Sequence, residues 1–374
     1  MARIGGTILV AVLLIGAAAC SDDKGAAESA RPDDTVGGDT ASTTVTEVPT
    51  TTAPPTTTAA PEITWETVVA PADCMCADGS EFSFFIKHAD PTKVVLFFDG
   101  GGACFNADTC AAYKGEVGLS PERWARNGIF DDGDPRNPFA GWSMVYVPYC
   151  TGDVFLGNTT HDYGNGVVMN HKGFVNGSSA LNALAAAFPD AEQLMVTGVS
   201  AGSVPTPLYA GMASDLLPDT RITVLADGSG AYPDAASLNG LTSTVWGTMN
   251  AVPDWPELAG ITPDDWSFPE LFIHAGRHDP DIVFARHDYT DDVTQAFFTG
   301  FAGVDDLLVL IDQNEVQIEA AGVPLHSFIA PGPNHTILYF AEFYTEGVDG
   351  MLLTDWVQML VDGEPMSDNH CCAT

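Results

Sequence analysis

The chain has 374 residues, 45% of them hydrophobic, enough for one large α/β domain with a sizeable core or for two small ones. Its 50 acidic residues against 13 basic ones give a formal net charge of −37, which repels phosphates and excludes nucleic acid as a partner. Anionic polymers are repelled as well unless a local basic patch intervenes, so the charge reads as a solvated acidic shell.

Residues 1–20, "MARIGGTILVAVLLIGAAAC", read as an export signal. Arg3 is followed by an apolar stretch, Ile8–Ile15, then by small residues and Cys20. The stretch is too short for a permanent membrane span. Its "AAAC" ending resembles a bacterial lipobox, with Ala17 where leucine is common, so the expectation is a cell-surface lipoprotein anchored at Cys20. Cleavage after "AAA" instead gives a soluble secreted protein. Residues 21–62 are rich in Thr, Pro and Ala and lack aromatics, so they cannot form a core and read as a disordered tether. Residues 63–374 are left as the folded domain.

In that domain strands are predicted at Val94–Phe98, Met144–Val147, Leu194–Thr197, Ile222–Ala226, Ile282–Ala285 and Phe328–Ala330. Helices are predicted between and after them at Ser178–Phe188, Ala201–Leu217, Pro269–His278, Val304–Ala321 and Met351–Val361. Val304, Leu307, Leu308 and Ile311 fall on one face of the fourth helix. Several strands are apolar without alternation, as expected when both faces are covered. The β-α alternation therefore predicts an α/β fold, a mostly parallel sheet with helices on both faces. Ligands of such sheets bind beyond the carboxyl ends of the strands. The segments standing there are "DGGGACFN", "GVSAG", "DGSGAYPD", "RHDYTDDVTQ" and "PGPNHTIL".

"GVSAG", residues 198–202, fits the G-x-S-x-G nucleophile elbow. A strand-to-helix turn this sharp forces the serine into strained backbone angles, and a side chain two residues to either side would clash. Ser200 is thus the candidate nucleophile, with the Ala201 amide facing the reacting centre. Pro205 and Pro207 delay the regular helix that follows. "FFDGGGACFN" lacks the Lys-Ser/Thr of a phosphate-binding P-loop. Its glycines instead let the backbone approach a ligand, so the amides of Gly101 and Gly102 join that of Ala201 as an oxyanion hole.

Of the nine histidines, His335 in "APGPNHTILYF" stands after the last strand, where the general base is expected. His326 precedes that position and reads as structural. His274 and His278 are i, i+4 neighbours with no third metal ligand nearby. For the acid that orients the base, Asp227, Asp288, Asp291 and Asp292 all follow a strand and respect the order Ser…Asp…His. Asp292 is also placed to cap the helix starting near Val293.

The eight cysteines are at 20, 74, 76, 104, 110, 150, 371 and 372. C-x-C with no later C-x-x-C or H-x-x-H argues against zinc. A Cys104–Cys110 bridge closes a short loop. Cys74 or Cys76 is expected to pair with Cys150, and the other with Cys371 or Cys372.

The set "DGGGACFN", "YCTGDVFLG", "HKGFVNG", "GVSAG", "D-V-T-Q" and "GPNHT", in that order over roughly residues 70–372, resembles the pectin acetylesterase/Notum family of serine carboxylesterases. The resemblance implies an α/β-hydrolase-like fold and a Ser-His-Asp triad. It places the catalytic acid in a D-x-x-Q segment, which here matches Asp292 with Gln295, and it supports Ser200, His335 and the Gly101, Gly102 and Ala201 amides. Ser203 departs from the further glycine of many relatives.

Three functions follow from this reading. The first is removal of O-acetyl groups from an extracellular polysaccharide, with no metal or organic cofactor. The second is removal of a longer acyl chain from a protein or lipid. The third is a catalytically inert surface carbohydrate-binding protein. Trp142, Trp246, Trp255 and Trp266 are candidates for stacking on sugar rings, though each also fits a core. The chain is expected to act as a monomer on an acylated polysaccharide or other ester, touching a membrane only through Cys20.

Overall fold

The apolar runs of the sequence alternate sides once they are pleated. In strand β3 (Asp90–Phe98), Val94, Leu96 and Phe98 point into one core while Val95 and Phe97 point into another. A strand apolar on both faces needs a layer on each, and this is what the computed structural model shows. It describes residues 64–115, 120–300 and 306–372. The proposed export signal, Cys20 and the tether lie outside the described residues, as does Val304.

Ahead of β3 come β1 (Trp65–Val69) and β2 (Ser83–Lys87), and after it β4 (Trp142–Val147). A two-stranded hairpin follows, β5 (Thr159–Asp162) and β6 (Val168–His171). The sheet resumes with β7 (Gln193–Val199), β8 (Arg221–Asp227), β9 (Val283–Tyr289) and β10 (Leu325–Ala330). A second small hairpin, β11 (Gly347–Val348) and β12 (Met351–Leu352), precedes the closing strand β13 (Asn369–His370). The main sheet runs β1-β2-β4-β3-β7-β8-β9-β10-β13. It is antiparallel from β1 to β4 and parallel from β4 onward.

The helices are α1 (Ala107–Ala112), α2 (Gly173–Ala187), α3 (Thr206–Leu216), α4 (Ala236–Val245), α5 (Phe268–His278), α6 (Val293–Gly300), α7 (Leu307–Ala320) and α8 (Leu353–Asp362). Leu181 and Leu184 of α2, Leu208 of α3 and Leu271 of α5 bury against one face of the sheet. Trp356, Val357 and Leu360 of α8 bury against the other. Among the described residues, no helix is long and apolar enough to cross a membrane.

Three expectations need correction. The strand predicted to end at Ala285 runs on through Tyr289, because Arg286, His287 and Asp288 each find a buried partner. The helix expected from Ala201 begins at Thr206, after a 3-10 turn at Ser200–Gly202, since two prolines stand at its start. The cysteine pairing is right for Cys104–Cys110 and Cys76–Cys150, but Cys74, Cys371 and Cys372 are free. Cys74 lies in the core on the α2 face while Cys371 packs against the α8 face, so the sheet separates them.

Candidate active site

The elbow forms for the steric reason its glycines suggest. Ser200 has φ 55°, a left-handed conformation that costs a residue with a Cβ about 1–3 kcal/mol and persists only where the surroundings impose it. A Cβ on Gly198 would stand 2.3 Å from the Gly202 carbonyl oxygen, and one on Gly202 would stand 2.3 Å from that of Phe98. Neither position admits a side chain. Ser203, the departure from the family pattern, donates its hydroxyl to the Ser200 carbonyl at 2.7 Å and so closes the turn.

The glycine loop lies against this serine. A Cβ on Gly100 would come within 3.1 Å of Ser200 Cβ, and one on Gly101 within 2.8 Å of the Tyr149 ring. Gly102 adopts φ 75°, and Gly102, Ser200 and Ala201 line the same cavity. The base of the loop is held by Asp99, a residue the sequence showed directly after a strand but whose role it did not reveal. Its buried carboxylate accepts from the Gly100 amide at 2.9 Å, from Arg123 Nη2 at 2.9 Å, and from the hydroxyls of Tyr146 and Tyr339. Burial pushes both phenols up, so they act as donors to that carboxylate.

Beyond β9 and β10, His335 Nδ1 donates to Asp292 Oδ2 at 2.6 Å. Asp292 is fully buried and has a second task, since its Oδ1 accepts from the amides of Thr294 and Gln295 and caps α6. The cap locks the carboxylate, and the carboxylate fixes the imidazole tautomer with the lone pair on Nε2. That Nε2 is buried and has no hydrogen-bond partner among the described residues. Val199 pairs with Asp227, so Ser200 and Gly228 each follow the end of adjacent paired strands. A Cβ on Gly228 would be 3.4 Å from His335 Cε1.

The competing aspartates have other partners. Gln295 Nε2 bridges Asp292 Oδ2 at 3.1 Å and Asp288 Oδ1 at 2.9 Å, and its Oε1 accepts from the Ala231 amide. Asp288 also accepts from the Gly230 amide, and burial raises its carboxyl above the usual range. Asp291 is exposed and pairs with the Thr290 hydroxyl. Asp227 binds His287 and two backbone amides.

A cavity of about 230 Å³ opens at Ser200. Its wall is chiefly apolar, with Val204, Leu238, Leu241, Trp246, Phe268 and Phe298 contributing. The four tryptophans considered for sugar stacking are all buried, and of these Trp246 reaches the cavity. His274 Nε2 bonds the Asp265 carbonyl, and His278 stacks on Trp255 between Asp215 and Glu257. His326 lies within β10, away from the cavity wall. Another buried carboxyl, Asp153, is pushed up to about 6 by burial. It accepts from the Gly173 amide at 2.8 Å and joins the "YCTGDVFLG" and "HKGFVNG" segments.

A mostly parallel sheet with a strained serine at the C-terminal end of a central strand, and an Asp–His pair two and three strands away, defines an α/β hydrolase fold. A solved structure titled the Wnt deacylase Notum from Drosophila shares it with a TM-score of 0.58 at 15% identity, covering 82% of this chain and 98% of that one. The family model described as pectinacetylesterase matches residues 59–252, and the chain belongs to that family. Pectin acetylesterase 5 of Arabidopsis thaliana is 22% identical over 248 residues, 60% of this chain and 56% of that protein. Palmitoleoyl-protein carboxylesterase NOTUM of Homo sapiens is 32% identical over 91 residues, 22% of this chain and 18% of that protein. The chain spans about half the length of the first curated relatives it matches.

Proposed function

We propose that the protein is an exported serine carboxylesterase in which Ser200 is the nucleophile, His335 the base and Asp292 the orienting acid. The observation that carries this is the 2.6 Å His335–Asp292 contact on the same sheet edge as a strained serine at the wall of a cavity. His335 Nε2 takes the proton of Ser200 as the hydroxyl attacks the ester carbonyl. The amides of Gly101, Gly102 and Ala201 receive the oxyanion, and Asp292 stabilises the imidazolium. The same imidazole then protonates the leaving alcohol, and water releases the acid by the reverse steps. Two disulfides fit an exported protein, and lipidation at Cys20 would tether it to the cell surface.

The cavity favours an acyl group longer than acetate, which reverses the order of the first two functions read from the sequence. An acetyl group would leave most of the apolar wall of this 230 Å³ cavity uncovered. The acetylesterase reading is kept alive by the longer alignment with pectin acetylesterase 5, 60% of this chain against 22% for human NOTUM. A series of p-nitrophenyl esters separates them. Each methylene buried in the cavity contributes about 0.8 kcal/mol, so kcat/KM is expected to rise about threefold to fourfold per carbon from acetate to about eight carbons. A maximum at acetate supports deacetylation, and no turnover of any ester supports the inert carbohydrate-binding reading.

A further inference from the structure

Asp227 ends the strand beside the nucleophile strand, fully buried, and takes no direct part in the triad. Both its oxygens are engaged. Oδ1 accepts from His287 Nδ1, its cross-strand neighbour on β9, at 2.8 Å. Oδ2 accepts from the amides of Ile337 and Leu338 at 2.8 and 3.0 Å. Those two amides follow Thr336, which has φ 61°. A β-branched residue in that conformation is a genuine outlier, and it connects His335 directly to the amides that Asp227 holds. Gly228 makes room for the arrangement, since a Cβ there would stand 2.9 Å from Thr336 Cγ2.

A carboxylate bonded to two successive amides fixes the backbone with charge-assisted hydrogen bonds, roughly twice as strong as neutral ones. Without that hold, Thr336 would relax toward an ordinary conformation and swing the imidazole away from Ser200. Asp292 orients the ring about its own bonds, but it does not hold the backbone from which the ring hangs. We propose that Asp227 is a positioning residue for the base, clamping Ile337 and Leu338 so that His335 is presented to Ser200. This rests on the proposed serine mechanism. His287 completes the clamp by donating to the second oxygen of the carboxylate.

The test uses the full-length protein and a soluble p-nitrophenyl ester, with kcat expressed per folded molecule from near-UV circular dichroism. A displacement of about 1 Å at a reacting group costs about a hundredfold in rate. Asp227→Ala is therefore expected to lower kcat about a hundredfold with KM within about threefold of the parent. Asp227→Asn keeps an oxygen that accepts both amides, and is expected to stay within about tenfold of the parent. If the alanine variant does not fold, Asp227→Ser, whose hydroxyl is too short to reach both amides, carries the same expectation. A near-parental kcat per folded molecule in the alanine or serine variant overturns the proposal, because a merely structural residue changes only the folded fraction. An equal fall in the alanine and asparagine variants overturns it too, since the amide clamp would then not be the cause. Ser200→Ala as a control keeps the two levels apart. Turnover surviving there removes the serine mechanism itself, whereas a dead Ser200→Ala beside a normal Asp227→Ala removes only the clamp.

Discussion

Replacing Ser200 by alanine is expected to lower kcat for any ester by roughly 10⁴- to 10⁶-fold while leaving the thermal unfolding midpoint close to that of the parent. The reason is chemical. Without the hydroxyl no acyl-enzyme forms, and only the oxyanion amides and substrate binding remain to accelerate direct attack by water. The fold should tolerate the change, because alanine is no larger than serine and the glycines at 198 and 202 still clear the turn. The left-handed φ of 55° is strained for either residue, so the strain cancels in the comparison. Initial rates with the best ester of the chain-length series, alongside a melting curve, check both halves.

The second large effect is expected at Asp292. Asp292→Asn is expected to lower kcat about 10⁴-fold, because the amide cannot stabilise the imidazolium and favours the wrong imidazole tautomer. Stability should change little, since asparagine caps a helix about as well as aspartate and the amides of Thr294 and Gln295 keep an acceptor. That split between activity and stability separates the catalytic task of Asp292 from its capping task. Asp291→Asn, at an exposed position whose carboxylate accepts from the Thr290 hydroxyl, should be nearly silent. Asp288→Asn should act weakly, through Gln295 rather than through His335. Steady-state rates of the three variants decide among them, and a near-normal Asp292→Asn would reassign the acid.

What could be read beforehand follows from how local each feature is. The elbow is a steric problem solved within five residues, so "GVSAG" announced both the turn and the serine it strains. The central strands are apolar on both faces, and Val94–Phe98 and Leu194–Thr197 were therefore visible as buried strands. The end of β9 was not, because Arg286-His287-Asp288 looks like a solvated loop. It is buried because Glu315, Asp227 and Gly230 converge on it from distant parts of the chain, and Gln295 from the helix that follows. The choice among four aspartates was open for the same reason. Each follows a strand, so position alone left them equal; the D-x-x-Q resemblance singled out Asp292, and the folded chain brings that carboxylate to His335 and Asp227 to the amides that follow it. The cysteines show the same limit: a six-residue loop is legible as a bridge, whereas Cys74 and Cys371 are separated by a sheet whose faces no spacing rule reports.

Covalent labelling by a fluorophosphonate, located by peptide mass mapping, asks most directly whether His335 activates Ser200. Stoichiometric phosphonylation of the peptide carrying Ser200, slowed by orders of magnitude in His335→Ala, is the predicted result. Inactivation with the label elsewhere, or labelling of Ser200 at the same rate without His335, would contradict the mechanism.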